Sequence, residues 1–167
     1  KVVIDPELDL VNDGFIIKDL PKGRHIFAKT EIGAMYGRYA LQRLERTGRA
    51  DCTLDIREEP SYERRILNHW DNLDNTIERG YAGWSIWHWG EPVPVELIRS
   101  YARANASIGI NGSVLNNVNA TPEILNADNL KRVAAIADLM RPYGIHTYLS
   151  VNFSSPAALG GLPTSDP

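Results

Sequence analysis

The sequence predicts an α/β protein in two parts: a small α/β domain over residues 1–60 and the start of a parallel barrel over residues 61–167. After Pro60, strands alternate with helices, and a polar segment follows each of three strands. Neither GxGxxG nor GxxxxGKS/T occurs in the chain, which disfavours an open nucleotide-binding sheet. The second part is therefore interpreted as the beginning of a (β/α)8 TIM barrel.

The first 60 residues contain short apolar runs separated by turn residues. Three of these runs predict strands: Val2–Ile4, Phe15–Lys18 and Arg24–Ala28. Thr30 is a suitable N-cap for a following helix, in which four apolar residues recur at helical spacing: Ile32, Met35, Tyr36 and Tyr39. Gly33 and Gly37 lie on one side of that helix, where they either allow a strand to approach closely or are simply tolerated.

The second part reads as strand, helix, strand, helix, strand. The strands are predicted at Arg65–Trp70, Ile108–Leu115 and Ile145–Val151. One helix begins after Pro94, and a second, amphipathic helix covers residues 129–141. Thr121 and Pro122 open a short turn or helix between them, and residues 154–162 are expected to form a loop.

Composition excludes several classes of protein. The chain is 43% hydrophobic with a net charge of −3, and it has no basic stripe, so the charge gives no support for nucleic-acid binding. No apolar run reaches the roughly 20 residues that cross a membrane. The chain begins at Lys1 without Met and ends in loop-forming residues, so we expect an internal fragment and leave the compartment open.

The polar segments after the strands predict a carbohydrate-binding rim. Amide groups pair with vicinal hydroxyls, and an aromatic ring covers the C–H face of a sugar. The predicted substrate-binding residues are Asn68, His69, Trp70, Asn116, Asn117, Val118 and Asn152. The alternative is that these asparagines cap helices and satisfy loop backbone. Trp84, Trp87 and Trp89 form a second aromatic group, which we expect to be buried against the N-terminal part rather than to form a sugar platform.

No metal or cofactor is expected. His69 and His88 are 19 residues apart without a neighbouring cysteine ligand, which is not zinc-site spacing. The acidic pairs Glu58-Glu59 and Asp71/Asp74 are typical of solvated or capping groups rather than of an acid/base couple.

Two long segments resemble the α-glucuronidases of glycoside hydrolase family 67. They are RRILNHWDNLDNTIERGYAG and the stretch from VLNNVNATPEIL to GGLPTSDP. The preceding GFIIK and GRHIFAKTEIGAMYGRYALQRL resemble the small α/β domain before the barrel in that family, a domain type shared with β-hexosaminidases. The loop WSIWHWGEPVP departs from the family pattern, so no contact is carried over from it.

This resemblance implies removal of (4-O-methyl)-glucuronic acid linked α-1,2 to xylose in xylo-oligosaccharides, with inversion and without a metal. Trp70 and Val118 match the family residues that enclose the methyl group of the uronic acid. The family's catalytic carboxylates are expected beyond Pro167, so no catalytic residue is assigned and the chain alone is expected to be inactive. The full-length protein is expected to be a homodimer.

The sequence is also compatible with two other functions. One is another two-domain sugar hydrolase of the hexosaminidase type, whose acidic pair also lies late in its barrel. The other is a non-catalytic carbohydrate-binding module that uses the tryptophans as a platform. Such modules are usually all-β, so the predicted helix over residues 129–141 distinguishes the two classes.

Overall fold

The computed structural model describes residues 1–161, which form two compact units. The first unit contains Lys1–Arg64 with Asn105–Gly109. The second contains Arg65–Ala104 and the described chain from Ile110 onward. Residues 162–167, including Pro167 and the end of the predicted loop, lie outside the described residues. No helix among the described residues is long and apolar enough to cross a membrane.

The first unit is a four-stranded sheet with one helix. Its elements are β1 (Val2–Ile4), β2 (Phe15–Leu20), β3 (Gly23–Ala28), α1 (Glu31–Arg46) and β4 (Asp55–Glu58). The strand order is β1-β3-β2-β4, in which β1 is parallel to β3 and the other pairs are antiparallel. The three predicted strands and the Thr30 cap are confirmed, with the Thr30 side chain accepting from the backbone N–H of Gly33. The polar strand β4 was not predicted, because its charged residues give little apolar alternation.

Helix α1 meets the sheet through its small residues. A Cβ added at Gly33 would lie 2.5 Å from the backbone oxygen of Gly14, and one added at Gly37 would lie 2.6 Å from Cγ2 of Ile26. The close-approach interpretation of these glycines is therefore confirmed. The buried stripe differs in part from the predicted apolar face and consists of Gly33, Ala34, Tyr36, Gly37 and Ala40. Of the predicted face, Tyr36 is buried, whereas Ile32, Met35 and Tyr39 are only half-buried.

The second unit is a three-stranded parallel sheet with helices between the strands. Its elements are β5 (Ile66–Asn68), α2 (Val95–Ser107, which belongs to this unit up to Ala104), β6 (Gly112–Val114), α3 (Ala127–Met140), β7 (His146–Tyr148) and α4 (Ser155–Gly160). Strands β5, β6 and β7 are adjacent in that order, with Ile66 opposite Gly112 and Gly112 opposite His146. The predicted parallel alternation is confirmed, and Thr121 and Pro122 begin the expected short 3-10 turn.

The parallel strands are all shorter than predicted, and two differences have a clear local cause. The predicted strand from Ile108 begins only at Gly112, because helix α2 continues to Ser107 and Gly109 follows it with φ of 81°. The predicted loop after Asn152 contains α4, whose Pro156 lies in the first turn and whose end is Gly161 with φ of 65°. Proline at a helix start and glycine at its end are compatible with a short helix, so turn residues alone were misleading here.

The core of the second unit contains two of the four tryptophans. Trp87 and Trp89 pack with side chains from α2, α3 and the strand ends, including Ile98, Leu115 and Ile136. Their burial agrees with the sequence, but the expected partner was wrong, because the residues of this core belong to the second unit itself. Trp84 was also expected to be buried and is instead 58% exposed.

Candidate functional site

A pocket lies at the C-terminal ends of the parallel strands. Its volume is about 150 Å³, and eight of the described residues line it: Asn68, Trp70, Glu78, Arg79, Asn117, Val118, Asn119 and Ser150. Because parallel strands deliver their C-terminal residues to one edge, segments distant in sequence meet here. Four of the seven predicted binding residues therefore lie around one cavity, namely Asn68, Trp70, Asn117 and Val118.

Trp70 and Val118 supply the apolar part of this pocket. Trp70 is 37% exposed and Val118 is 57% exposed, so both side chains are accessible. The Arg79 guanidinium carbon lies 5.0 Å from the centre of the Trp70 ring, and the Tyr81 ring meets Trp70 edge-on at 6.1 Å. A pocket lined by an aromatic ring, an aliphatic side chain and several amides suits a ligand with an apolar patch and several hydroxyls.

Asn117 lines the pocket and also fixes its shape. Its backbone N–H donates to the Asp71 carbonyl at 3.1 Å, and its Oδ1 accepts from the Asn119 N–H at 2.6 Å. Its Nδ2 donates to Oδ1 of Asn72. The Asn117 amide therefore combines the predicted binding position with the capping role that the sequence left as its alternative.

Asn116 and Asn152 make hydrogen bonds to the neighbouring segments in the structure, so their binding role stays a prediction. Asn116 is 1% exposed, donates to the Ser150 carbonyl at 3.0 Å and accepts from the Ser150 N–H at 3.0 Å. These two bonds tie the segment after β6 to the segment after β7. The Oδ1 of Asn152 accepts from the backbone and hydroxyl of Ser154, which turns the chain toward α4. Neither residue lines the pocket.

The binding role of His69 also stays a prediction, and in the structure its side chain contacts Tyr101 of α2. Its Nε2 is 2.8 Å from the Tyr101 hydroxyl, which is 2.9 Å from Oγ of Ser113, and its Nδ1 is 3.7 Å from Oδ1 of Asp71. Successive residues of an extended segment point to opposite sides, so Asn68 and Trp70 reach the pocket while His69 does not.

Burial shifts the pKa values of His69 and Tyr101. Removal from water lowers the pKa of His69 below its ordinary value, and the nearby Asp71 carboxylate opposes this shift. Burial likewise raises the pKa of the Tyr101 hydroxyl, with the hydrogen bond to Ser113 acting in the opposite direction. Burial therefore favours the neutral imidazole of His69 and the neutral phenol of Tyr101.

Sequence reasoning missed three lining residues: Glu78, Arg79 and Ser150. Asn119, which also lines the pocket, belongs to the polar segment after the second predicted strand and suits a carbohydrate by its residue type. Ser150 follows β7 closely, so the strand-end rule gave a signal for it. Glu78 and Arg79 come from a loop without periodicity, and only folding brings them to Trp70. Of the lining residues, Glu78 is the only acid, so the described pocket can bind a sugar but lacks a carboxyl pair for hydrolysis. No group of three or more potential ligands for a metal ion occurs within residues 1–161.

Comparisons with known proteins match both the chain's sequence and its fold. The family model of the glycosyl hydrolase family 67 middle domain matches residues 44–167. Probable alpha-glucuronidase A of Neosartorya fischeri is 43% identical over 164 residues, covering 97% of this chain and 19% of that protein. Alpha-glucuronidase of Hypocrea jecorina is 40% identical over 173 residues, covering 98% of this chain and 20% of that protein.

Solved structures with low sequence identity share the fold. A GH138 enzyme targeting pectin rhamnogalacturonan II matches with a TM-score of 0.61 at 15% identity, over 99% of this chain and 22% of that one. A beta-N-acetylhexosaminidase matches with a TM-score of 0.55 at 14% identity, over 99% of this chain and 40% of that one. The chain spans about a fifth of the length of the curated relatives it matches. By the match over residues 44–167, the chain belongs to glycosyl hydrolase family 67.

Proposed function

We propose that the second unit is the first part of a (β/α)8 barrel in an α-glucuronidase, and that its pocket is one wall of the site for a glucuronic acid substituent. The substrate would be a xylo-oligosaccharide carrying (4-O-methyl)-glucuronic acid α-1,2-linked to xylose, cleaved with inversion. Residues 1–60 would form the separate small domain that precedes the barrel. The relatives named alpha-glucuronidase support this activity, and the parallel order of β5, β6 and β7 supports the barrel.

The observation that carries the proposal is the meeting of Trp70 and Val118 at the C-terminal edge of a parallel sheet. Barrel enzymes bind their substrates at that edge. The pocket of about 150 Å³ is smaller than the roughly 300–1,000 Å³ of complete ligand sites, which fits a site completed by later strands. Strand β5 also has exposed Ile66 and Leu67, at 37% each, which a neighbouring barrel strand would cover.

Asn68 and Asn117 would bind sugar hydroxyls while Trp70 and Val118 enclose the O-methyl group. His69, Asn116 and Asn152 would act indirectly, by holding the strand ends that carry these residues. A carbohydrate-binding module is disfavoured because α2 and α3 are helices of 13 and 14 residues, whereas such modules are usually all-β.

Trp70→Ala tests this function in the full-length protein. We expect a loss of about 1–3 kcal/mol in transition-state binding for methylated aldouronic acids, with a smaller loss for the unmethylated substrate. The loss of thermal stability should stay below the roughly 3–5 kcal/mol that follows removal of a core aromatic residue. Steady-state kinetics on both substrates and a melt of the same variant provide the measurement.

Two results would contradict the proposal. One is a wild-type full-length protein that releases no glucuronic acid from either substrate. The other is a Trp70→Ala variant that unfolds while its folded fraction keeps full efficiency. As a control, the 167-residue chain alone should release none, because Glu78 is the only acid lining its described pocket and an inverting hydrolase needs two carboxyl groups.

A further inference from the structure

The orientation of the Trp70 ring needs an explanation, because little of its surroundings is core. The backbone is fixed, since the Trp70 carbonyl accepts from the Glu78 N–H at 2.8 Å. A fixed backbone still leaves the two side-chain torsions free, and a ring that is 37% exposed lacks the close packing that would select one rotamer. Another contact must hold the ring if it is to present a defined surface to the pocket.

The turn formed by residues 78–81 supplies this contact. The Arg79 guanidinium carbon lies 5.0 Å from the Trp70 ring centre, within the distance at which a cation is attracted to an aromatic face. Tyr81 meets the same ring edge-on at 6.1 Å with an interplanar angle of 61°. One short turn therefore provides a cationic contact and an aromatic contact to Trp70, in addition to the backbone hydrogen bond of Glu78.

The backbone of Arg79 is unusual for a residue with a side chain. Its φ is 61° and its ψ is 24°, in the left-handed region that glycine adopts without penalty. The next residue, Gly80, is also left-handed, with φ of 69°. A long side chain at a position that suits glycine points to a role for that side chain.

The contacts of the two charged side chains in the pocket are consistent with stacking of Arg79 on Trp70. Glu78 and Arg79 are the two charged residues among the eight that line it. The Glu78 carboxylate accepts from Nδ2 of Asn119 at 3.5 Å, so it contacts the segment after β6. The Arg79 guanidinium lies on the Trp70 ring, where its planar shape allows stacking that the compact lysine ammonium lacks.

We propose that Arg79 is a positioning residue that holds the Trp70 ring in the pocket and thereby sets how strongly the site prefers a substrate with an apolar substituent. The part concerning substrate preference rests on the function proposed above. Arg79 acts through Trp70, so its effect disappears when Trp70 is absent.

A double-mutant cycle in the full-length protein tests this coupling. Arg79→Ala should lower the ratio of kcat/KM for methylated over unmethylated aldouronic acid by roughly 2- to 30-fold, the range that corresponds to estimated cation–π energies. In the Trp70→Ala background, Arg79→Ala should change that ratio no further. Arg79→Lys keeps the charge and most of the length but loses planar stacking, so its ratio should fall between wild type and Arg79→Ala. Arg99→Ala is the matched control, since Arg99 is exposed on α2 and pairs with Glu96.

Fluorine NMR of protein labelled with 5-fluorotryptophan reads the ring directly and needs no activity. The Trp70 resonance is assigned by its loss in Trp70→Phe. Arg79→Ala should shift and narrow that resonance as the ring samples more rotamers, while the resonance of the buried Trp87 and the spectrum of Arg99→Ala stay unchanged. If the wild type releases no uronic acid, the proposed function fails, and the fluorine spectrum still decides the positioning role.

Two outcomes would overturn the positioning role. An unchanged Trp70 resonance in both Arg79→Ala and Arg79→Lys would show that the ring is held by other contacts. Equal losses for both substrates that add fully to those of Trp70→Ala would show that Arg79 acts on the substrate by itself, for instance on its carboxylate. If Arg79→Ala does not fold, Arg79→Lys carries both measurements.

Discussion

Trp70 and Trp87 belong to the same connection between β5 and α2, yet their surroundings are opposite. Trp70 is 37% exposed and lines the pocket, whereas Trp87 is 0% exposed and lies in the core. The Trp87 ring meets His69 at 5.0 Å and Tyr101 at 5.3 Å, both edge-on. Clustering of tryptophans in sequence therefore does not make one aromatic surface, since this loop divides its rings between core and site.

The two halves of the connection are also held by different contacts. The half that carries Trp87 is fixed by one buried and one half-buried polar side chain: Asn75 bonds the backbone of Trp89, and Arg132 of α3 donates to the carbonyls of Trp87 and His88. The half that carries Trp70 depends on the exposed turn at residues 78–81. A rigid inner half and an accessible outer half suit a loop that must present one ring to a ligand.

Removal of the Trp87 ring should give the largest effect of this comparison. Trp87→Ala is expected to destabilise the protein by about 3–5 kcal/mol, because a large, fully buried ring leaves a cavity. Thermal or urea unfolding measures the loss. Trp84→Ala is the matched control and should stay within about 0.5 kcal/mol of wild type, because Trp84 is 58% exposed. A loss for Trp84→Ala equal to that of Trp87→Ala would show that the outer ring also supports the fold.

Asn75 provides the next largest effect. It is 6% exposed, its Nδ2 donates to the Trp89 carbonyl at 2.9 Å, and its Oδ1 accepts from the Trp89 N–H at 2.7 Å. Asn75→Ala removes the amide that makes both hydrogen bonds and puts alanine at φ of 68°, a left-handed conformation that asparagine tolerates better, so we expect a loss of about 1–3 kcal/mol.

Asn75→Gly separates the two causes, because glycine tolerates the left-handed backbone but still lacks the amide. If the hydrogen bonds dominate, the glycine variant should lose nearly as much stability as the alanine variant in the same unfolding experiment. A glycine variant as stable as wild type would mean that the buried amide contributes little.

His69 gives the smallest effect, and it depends on pH. Burial lowers the pKa of the folded-state imidazole below its ordinary value of about 6.5. As pH falls through that value, the unfolded chain binds a proton that the folded chain resists, so the free energy of unfolding decreases. The stability that comes from this neutral imidazole is fully present above the unfolded-state pKa. It is lost as pH falls from that value to the lower folded-state pKa.

Urea unfolding of wild type and His69→Gln between pH 5 and 7 checks this expectation. The variant should lose the part of the pH dependence that comes from this site. His146→Gln, at an exposed position on β7, serves as the control and should keep the wild-type slope. Identical slopes for wild type and His69→Gln would contradict a buried neutral imidazole.

The sequence was informative wherever local chemistry dominates. The Thr30 cap, the close approach at Gly33 and Gly37 and the parallel strand–helix alternation all follow from short-range patterns, and all are confirmed. Strand β4 and the short helix α4 were missed, because charged strand residues and proline–glycine punctuation each fit more than one local conformation.

The candidate site divides in the same way. Residues at strand ends could be proposed from sequence, because parallel strands gather them at one edge, and Asn68, Trp70, Asn117 and Val118 do line a single pocket. Sequence could not separate them from His69 and Asn116, which have the same polar character and stand beside them in the chain. Which side each residue faces depends on the register of the strand and on what packs there, here Tyr101 for His69 and Ser150 for Asn116.

The sequence by itself determined the family, the α/β class and the edge at which binding residues gather. Only the tertiary structure decided which tryptophans are core, and that Arg79 stacks on Trp70 from a turn without any periodic pattern. The physical reason is that hydrogen-bond caps and helix spacing act between neighbours in the chain. Burial and ring contacts act between segments whose distance is fixed only after the chain has folded.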